Sequence, residues 1–221
     1  MIVAVIPAYN EASQIGEVVS KTAPFVHQVV VVDDGSKDGT AAIARNAGAV
    51  VVSHAVNRGL GGALGTGIRA ALRLGAEIII TLDADGQHLP EEIPLFVEKI
   101  RSGREAVIGT RMKGGKGEMP ATRKMFQWVG NAVTFLLFGL WTTDSQGGFR
   151  AFSKKGAERL DIRTNKMEVS SEIIGEIARL ELSWCEVPIT SVYTDYSLSK
   201  GQSFGVGIKT AYKLLMHRLK S

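Results

Sequence analysis

Two carboxylates spaced i, i+2, Asp83 and Asp85, follow directly on the apolar run of residues 78–82. At the end of an extended strand that spacing puts both side chains on the same side. Two anions held close repel each other unless a cation sits between them. Hard oxygen donors with no Cys or His cluster nearby suit Mg²⁺ or Mn²⁺, which keeps part of its water shell and accepts phosphate oxygens as further ligands. The same residues also suit the capping of a helix that starts near Pro90. A lone Asp-x-Asp is a weak signal, so the pair by itself leaves the metal site and the cap equally open.

Other residues of chemical interest also follow short apolar runs. After residues 2–6 come Pro7, which closes the strand, then Tyr9, whose ring can stack on a base, then Asn10 and Glu11, whose carboxylate can accept from ring N–H groups. After residues 28–32 come Asp33 and Asp34, placed for a ribose or a base, with Gly35 and Gly39 for tight turns and Asp38 as a helix cap. After residues 50–53 the glycine-rich stretch from Asn57 to Ala63 enters a helix, and its simplest reading is close backbone approach to a ligand. Gly65-Thr66-Gly67-Ile68-Arg69-Ala70 fits the G-x-G-x-x-A dinucleotide pattern, but inside a helical pattern it lacks the strand-to-helix turn that use requires. No phosphate-binding G-x-x-x-x-G-K-[ST] run exists.

The elements that must position these residues are strands at 2–6, 28–32, 50–53, 78–82 and 106–110, alternating with helices at 14–22, 40–46, 63–74 and from Pro90 onward. That alternation predicts an α/β domain with a mostly parallel sheet, in which ligands bind beyond the carboxyl ends of the strands. The 221 residues can bury a sizeable core, and 45% are hydrophobic and 22% charged, ordinary for a globular domain. Cys185 is the single cysteine, which excludes an intrachain disulfide framework and a Cys-based zinc site and points to a reducing compartment. No secretory signal precedes the first strand, so a cytoplasmic setting, including the cytoplasmic face of a membrane, is expected. The net charge of +4 permits anionic partners. Nucleic acid is not expected, because aromatic residues are not interleaved with the basic ones.

Taken in order, Pro7-Ala8-Tyr9-Asn10-Glu11, Val32-Asp33-Asp34-Gly35-Ser36-Lys37-Asp38-Gly39-Thr40, Asn57-Arg58-Gly59-Leu60-Gly61-Gly62-Ala63 and Asp83-Ala84-Asp85-Gly86-Gln87-His88 resemble the serial motifs of the family 2 nucleotide-sugar glycosyltransferases. Gly109-Thr110-Arg111 and the run from Asp144 to Arg150 resemble the polyprenyl-phosphate branch, typified by dolichyl-phosphate mannose synthase. The resemblance implies a GT-A fold, a single Rossmann-like α/β domain over 1–203. It also implies inverting transfer of a sugar from a nucleoside-diphosphate sugar to a polyprenyl phosphate. Carried over position by position, Pro7, Tyr9, Asn10, Glu11, Val32, Asp34, Gly61, Asp83, Ala84 and Gln87 would hold the donor nucleotide. Asp83, Asp85 and Gln87 would surround Mg²⁺ or Mn²⁺. Asp85 and Arg111 would be catalytic, with Arg123, Asp144, Arg150 and Lys200 toward the acceptor phosphate; Glu172 is a further catalytic candidate from its place at a helix start, not from the resemblance. The synthase pattern has an arginine six residues before the Ser-Lys lysine and a glycine three before it, where this chain has Thr194 and Ser197.

The second half reads less definitely. Residues 111–124 are basic and glycine-rich, suited to a loop that closes over phosphates. Residues 125–141 are apolar and aromatic, interrupted by Gln127 and Asn131, and too short to span a bilayer. A core helix, a homodimer contact and a membrane-surface helix all fit them. Residues 204–221 form an amphipathic basic helix, expected at a membrane surface or packed on the domain. Glu172 opens a helix and serves either as a general base or as a first-turn carboxylate. A hydroxyl acceptor would need Glu172 or Asp144 as the base, whereas a phosphate acceptor would not. A sugar nucleotidyltransferase and a non-catalytic nucleotide-sugar-binding protein are the readings from other classes.

Overall fold

The β-branched runs form the strands that their burial on both faces requires. The structure is a computed structural model that describes residues 1–112, 121–190 and 192, with the backbone alone for 121–123 and 126. In its first half β1 (Ile2–Ala8), β2 (Gln28–Asp33), β3 (Val50–Ser53) and β4 (Ile78–Thr81) pair in parallel, connected through α1 (Ile15–Thr22), α2 (Thr40–Asn46) and α3 (Leu60–Arg73). A 3-10 turn, Pro90–Glu92, leads into α4 (Ile93–Arg101) and β5 (Ala106–Thr110). There follow α5 (Ala121–Phe138), β6 (Arg150–Ser153), α6 (Lys154–Arg159), α7 (Val169–Arg179) and β7 (Trp184–Pro188).

The seven strands lie in the order β3-β2-β1-β4-β6-β5-β7. One apolar layer joins the sheet to α1 and α4, burying Ile15, Val19, Ile93 and Phe96. The other joins it to α3 and α7, burying Leu64, Ile68, Ile173 and Ile177. On α1 the buried residues are Ile15, Val18, Val19 and Thr22, the face expected from the helical period. β7 is an edge strand ending in Pro188, as suits a residue with no N–H to donate.

Three features correct the reading from sequence. Pro7 does not close β1, which runs on to Ala8. Ala8 C=O accepts from Asp34 on the β2 side and Val5 C=O from Leu82 on the β4 side. Pro7 therefore turns its missing N–H toward β4, whose pairing with β1 ends at Val5. Helix α3 starts at Leu60, three residues early, because the loop at 164–165 packs on its first turn and Asn165 C=O accepts from Gly61 and Gly62. The third is β6, read from sequence only as the flank of a glycine-rich turn. It inserts antiparallel between β4 and β5, with Arg150 opposite both Thr81 and Ile108. This insertion turns the start of β6 toward the carboxyl ends of β4 and β5.

Among the described residues no helix is long and apolar enough to cross a membrane. The basic loop around Lys113 and Lys116, Lys200, the side chain of Arg123 and the expected C-terminal helix at 204–221 lie outside the described residues.

Candidate active site

The site forms where β4, β5 and the reversed β6 meet. Asp83 and Asp85 leave the end of β4, Arg111 leaves the end of β5, and Gly148 precedes β6. Thr81 Oγ1 donates to Gly148 C=O at 2.7 Å. The Gly148 backbone then lies so close that a Cβ there would overlap the Asp83 carboxylate. Asp85 accepts from Gln87 N–H at 3.0 Å and from the Gln87 side-chain amide at 2.6 Å. Asp83 N–H donates to His88 Nδ1 at 3.3 Å, and His88 Nε2 lies 3.7 Å from Asp83 Oδ2. The buried His88 ring packs on Phe149, which stacks on Phe96.

Burial raises the Asp83 carboxyl above its ordinary pKa, with Arg111 and then Arg150 pulling it back. Burial and then the charge of Asp83 raise Asp85. Burial lowers His88 to about 4, so its ring is neutral and able to accept from Asp83 N–H. Two crowded carboxylates that resist ionising together are what a bound divalent cation would relieve. Among the described residues no group of three or more His, Cys, Asp or Glu side chains is set to hold a metal ion. Asp83 and Asp85, with Gln87 bonded to Asp85, would suit a Mg²⁺ or Mn²⁺ that takes most of its ligands from water and phosphate.

Asp144 is 0% exposed and accepts from Arg111 Nε at 2.6 Å, Arg111 Nη2 at 2.8 Å and the Gln127 side-chain amide. Arg111 also donates to Gln127 Oε1 at 3.3 Å. Asn131 donates to Thr143 C=O and accepts from Ser145 N–H. The Glu186 carboxylate accepts from Thr142 Oγ1 and from Thr143 N–H and Oγ1, fixing the loop before Asp144. Gln127 and Asn131, which from sequence only interrupt an apolar stretch, thus organise the site. Their spacing with Thr134 (i, i+4, i+7) is the signal that could have shown it.

Arg150 was expected at the acceptor phosphate. It is 2% exposed instead and donates to Ser145 C=O and Ser170 C=O. Burial lowers its pKa to about 10, with the charges of Asp144 and Asp83 opposing the shift, so it stays charged. The Glu172 carboxylate accepts from Arg163 N–H, Thr164 N–H and Thr164 Oγ1. It holds the loop that packs on α3.

Beyond the ends of β1 and β2, where the donor nucleotide is expected, consecutive loops are tied together. Asn10, at φ 54°, donates its N–H to Ser36 Oγ and accepts from Lys37 N–H. Glu11 N–H donates to Thr40 Oγ1, and Ala12 N–H to Asp38. Tyr9 is 46% exposed. Asp34 is nearly buried and accepts from Arg58 N–H, Gly59 N–H and the His54 ring, whose other nitrogen meets Thr66 Oγ1. Asp34 anchors the glycine-rich turn, and His54, which the sequence did not single out, braces it. Pro7, Val32 and Ala84 are buried, and the Val32 side chain is in the core, so it offers no side-chain contact to a nucleotide. The close approach expected at Gly61 is to the chain itself. A Cβ at Gly61 would overlap Thr164 C=O, and one at Gly59 would overlap Asn165 C=O. Gly67 is likewise a packing residue, since a Cβ there would strike Val5.

This geometry has known counterparts. The family model described as Glycosyl transferase family 2 matches residues 3–161. A UDP-N-acetylglucosamine–dolichyl-phosphate N-acetylglucosaminyltransferase of Methanococcus voltae is 37% identical over 99% of this chain and 96% of its own length. An undecaprenyl-phosphate mannosyltransferase of Micrococcus luteus is 33% identical over 90% of this chain and 86% of its own. In fold, the chain is similar to glucosyl-3-phosphoglycerate synthase from Mycobacterium tuberculosis, crystallised with Mn²⁺, UDP and glucosyl-3-phosphoglycerate. That likeness has a TM-score of 0.76 at 22% identity and covers 99% of this chain and 79% of that one. The carboxylate pair at the β4 end therefore sits in a GT-A fold, and the chain belongs to the family 2 glycosyltransferases, with relatives in the polyprenyl-phosphate branch.

Proposed function

We propose that the protein transfers a sugar, with inversion at C1, from a nucleoside-diphosphate sugar of the GDP-mannose or UDP-glucose type to a polyprenyl (dolichyl) phosphate. Asp83, Asp85 and Gln87 would hold Mg²⁺ or Mn²⁺, which supplies charge neutralisation at the leaving diphosphate when bound. The observation that carries the choice of acceptor is the engagement of both base candidates. Asp144 is sealed against Arg111 and Gln127, and Glu172 against Thr164 and Arg163. A hydroxyl acceptor needs a base to take its proton. A phosphate monoester is already ionised near neutral pH and does not.

Arg111, oriented by Asp144, offers fixed positive charge where the leaving group becomes more negative. An oxygen of the acceptor phosphate attacks C1 from the face opposite the diphosphate. The bond from C1 to the β-phosphate oxygen breaks, the nucleoside diphosphate departs, and no proton changes hands. Tyr9, Asn10 and Glu11 form the nucleotide end, and Arg123 and Lys200 would meet the acceptor phosphate. The named relatives act on dolichyl and undecaprenyl phosphates, which supports this reading over a nucleotidyltransferase or a non-catalytic binder.

The test offers the full chain a panel of nucleotide sugars with Mn²⁺ and either a short-chain polyprenyl phosphate or the matching polyprenol. Expected is a glycosyl phosphodiester from the phosphate and no product from the alcohol. Comparable turnover of the alcohol would overturn the acceptor assignment.

A further inference from the structure

The turn that carries Asp85 is not seated on the core from the α1 side. A cavity of about 210 Å³ lies there, bounded by Asp85, Gly86 and Leu89 of the turn and by Gln14 and Val18 of α1. A turn with few packed neighbours takes its place from its hydrogen bonds. Within the turn, both Asp85 oxygens accept from Gln87, one from its N–H and the other from its side-chain amide. From outside, Gln87 C=O accepts from Val192 N–H at 3.0 Å. Val192 belongs to the chain leaving β7. Ile189 N–H fixes that chain to Thr110 C=O, and Thr190 N–H fixes it to the Glu92 carboxylate, at 2.9 and 3.2 Å from the two oxygens. Glu92 stands at the N-cap of α4, where a carboxylate ordinarily accepts from its own helix. Its side chain makes no such bond and reaches instead to a residue 98 positions away.

We propose that Glu92 is a positioning residue for the metal-binding turn. It would not touch the metal. It holds Thr190, the chain through Val192 holds the Gln87 carbonyl, and Gln87 holds the Asp85 carboxylate. This role rests on the reading above of Asp83 and Asp85 as the metal pair. Groups outside the ligand shell that orient a ligand typically cost about tenfold to a hundredfold in metal affinity or activity when lost. What the turn takes from Glu92 is reach: an oxygen placed at Thr190 N–H. Helix α4 would take the reverse. A first-turn negative charge is favoured by the helix dipole whatever its reach, and aspartate is among the best caps.

Two variants of the full chain separate these roles. Glu92→Gln drops the charge and keeps an oxygen that can accept from Thr190 N–H. Glu92→Asp keeps the charge and withdraws it by one methylene. Mn²⁺ is titrated into each protein with UDP or GDP present, and free Mn²⁺ is followed by its EPR signal, so no turnover is involved. Glu92→Asp is expected to bind Mn²⁺ about tenfold more weakly than the wild type at an unchanged Tm, and Glu92→Gln to bind close to the wild type. In transfer assays Glu92→Asp should raise the Mn²⁺ concentration for half-maximal rate by the same factor and preserve kcat at saturating Mn²⁺. A Glu92→Asp protein that binds Mn²⁺ like the wild type, or a Glu92→Gln protein as weak as Glu92→Asp, overturns the proposal. A Tm lowered in Glu92→Gln with Mn²⁺ binding unchanged in both variants would also overturn it and assign Glu92 to α4 alone. A wild type that binds no Mn²⁺ under these conditions would instead overturn the metal reading, and the role of Glu92 with it.

Discussion

The proposed donor side and the proposed acceptor side of the site are built from different kinds of bond. On the donor side, backbone N–H groups of residues 10–12 donate to Ser36, Thr40 and Asp38 in the loop after the adjacent strand. Around Asp144, on that acceptor side, three separate segments supply Arg111, Gln127 and Asp144 itself, which meet at a fully buried carboxylate through their side chains and the Arg111 backbone N–H. A loop tied by many modest bonds can lose one and keep its shape. A buried charged network is sound only while complete, because removing one member strands its partner in a poorly solvated place. The donor side should therefore lose chemistry without losing the fold, and the acceptor side should lose both.

The largest effect is expected at Asp85. Asp85→Asn removes a metal-binding charge and should cut kcat/KM by about a thousandfold or more. The metal-free fold should gain stability, since burial and Asp83 already oppose the charge of Asp85. Activity loss with a raised Tm in chelator is the expected pair of readings, and a wild-type rate would break the donor-side assignment. Asp144→Asn is the matching cut on the other side. It unbalances Arg111, which is only 18% exposed, and should cost about 3–5 kcal/mol of unfolding free energy along with turnover. Binding of the nucleotide sugar should weaken as well, because Asp144 no longer orients the Arg111 charge proposed at the leaving diphosphate. Equal damage to stability from both substitutions would erase the contrast between the two sides.

The same contrast governs how much was legible in the sequence. Strand ends are local features, and a short apolar run followed by a carboxylate can be read without knowing its neighbours. Asp83 and Asp85, Tyr9 and Glu11 were therefore placed correctly at the ends of β4 and β1. What went unread depended on partners far along the chain. Arg150, set toward the acceptor phosphate by the family resemblance, is buried by a strand between β4 and β5 that is only four residues long. Gly59 and Gly61 looked like ligand contacts because residues 164–165, which crowd them, lie about a hundred positions away. Glu172 reads from sequence as either a general base or a first-turn carboxylate, because Thr164, which occupies it, sits in an irregular loop without periodicity.

Gly148 joins the two sides and gives a sharper test of them. It belongs to the acceptor-side loop, yet its missing side chain is what leaves room for the Asp83 carboxylate. Its own backbone carbonyl is fixed by Thr81, so the strand cannot easily yield. The far end of Asp83 can. Gly148→Ala should displace that carboxylate with little cost in stability, and a misplacement of about 1 Å costs on the order of a hundredfold in rate. Adding Thr81→Val should restore part of the rate by freeing the loop to retreat. A fully active Gly148→Ala would show that Asp83 does not need its present position.

The smallest effect comes from His88, which braces the donor-side carboxylates from below. Its Nδ1 accepts from Asp83 N–H, which only a neutral ring can do, and burial lowers its pKa to about 4 against about 6.5 in an unfolded chain. Between those values the unfolded state binds the extra proton and the folded state does not, so stability falls as the pH falls. The contribution is complete above about pH 6.5 and is lost progressively toward pH 4. From pH 7 to pH 5 the loss is about 2 kcal/mol. Asp83 and Asp85, whose pKa values are raised by burial, work in the opposite direction, so the His88 contribution is read from a variant compared with the wild type. His88→Asn places a carbonyl oxygen near the accepting nitrogen and has no proton to gain. Urea unfolding in chelator at the two pH values should give a variant that loses about 2 kcal/mol less than the wild type. Parallel profiles would mean that the ring gains its proton as readily in the fold as in the unfolded chain, and that burial does not hold it neutral.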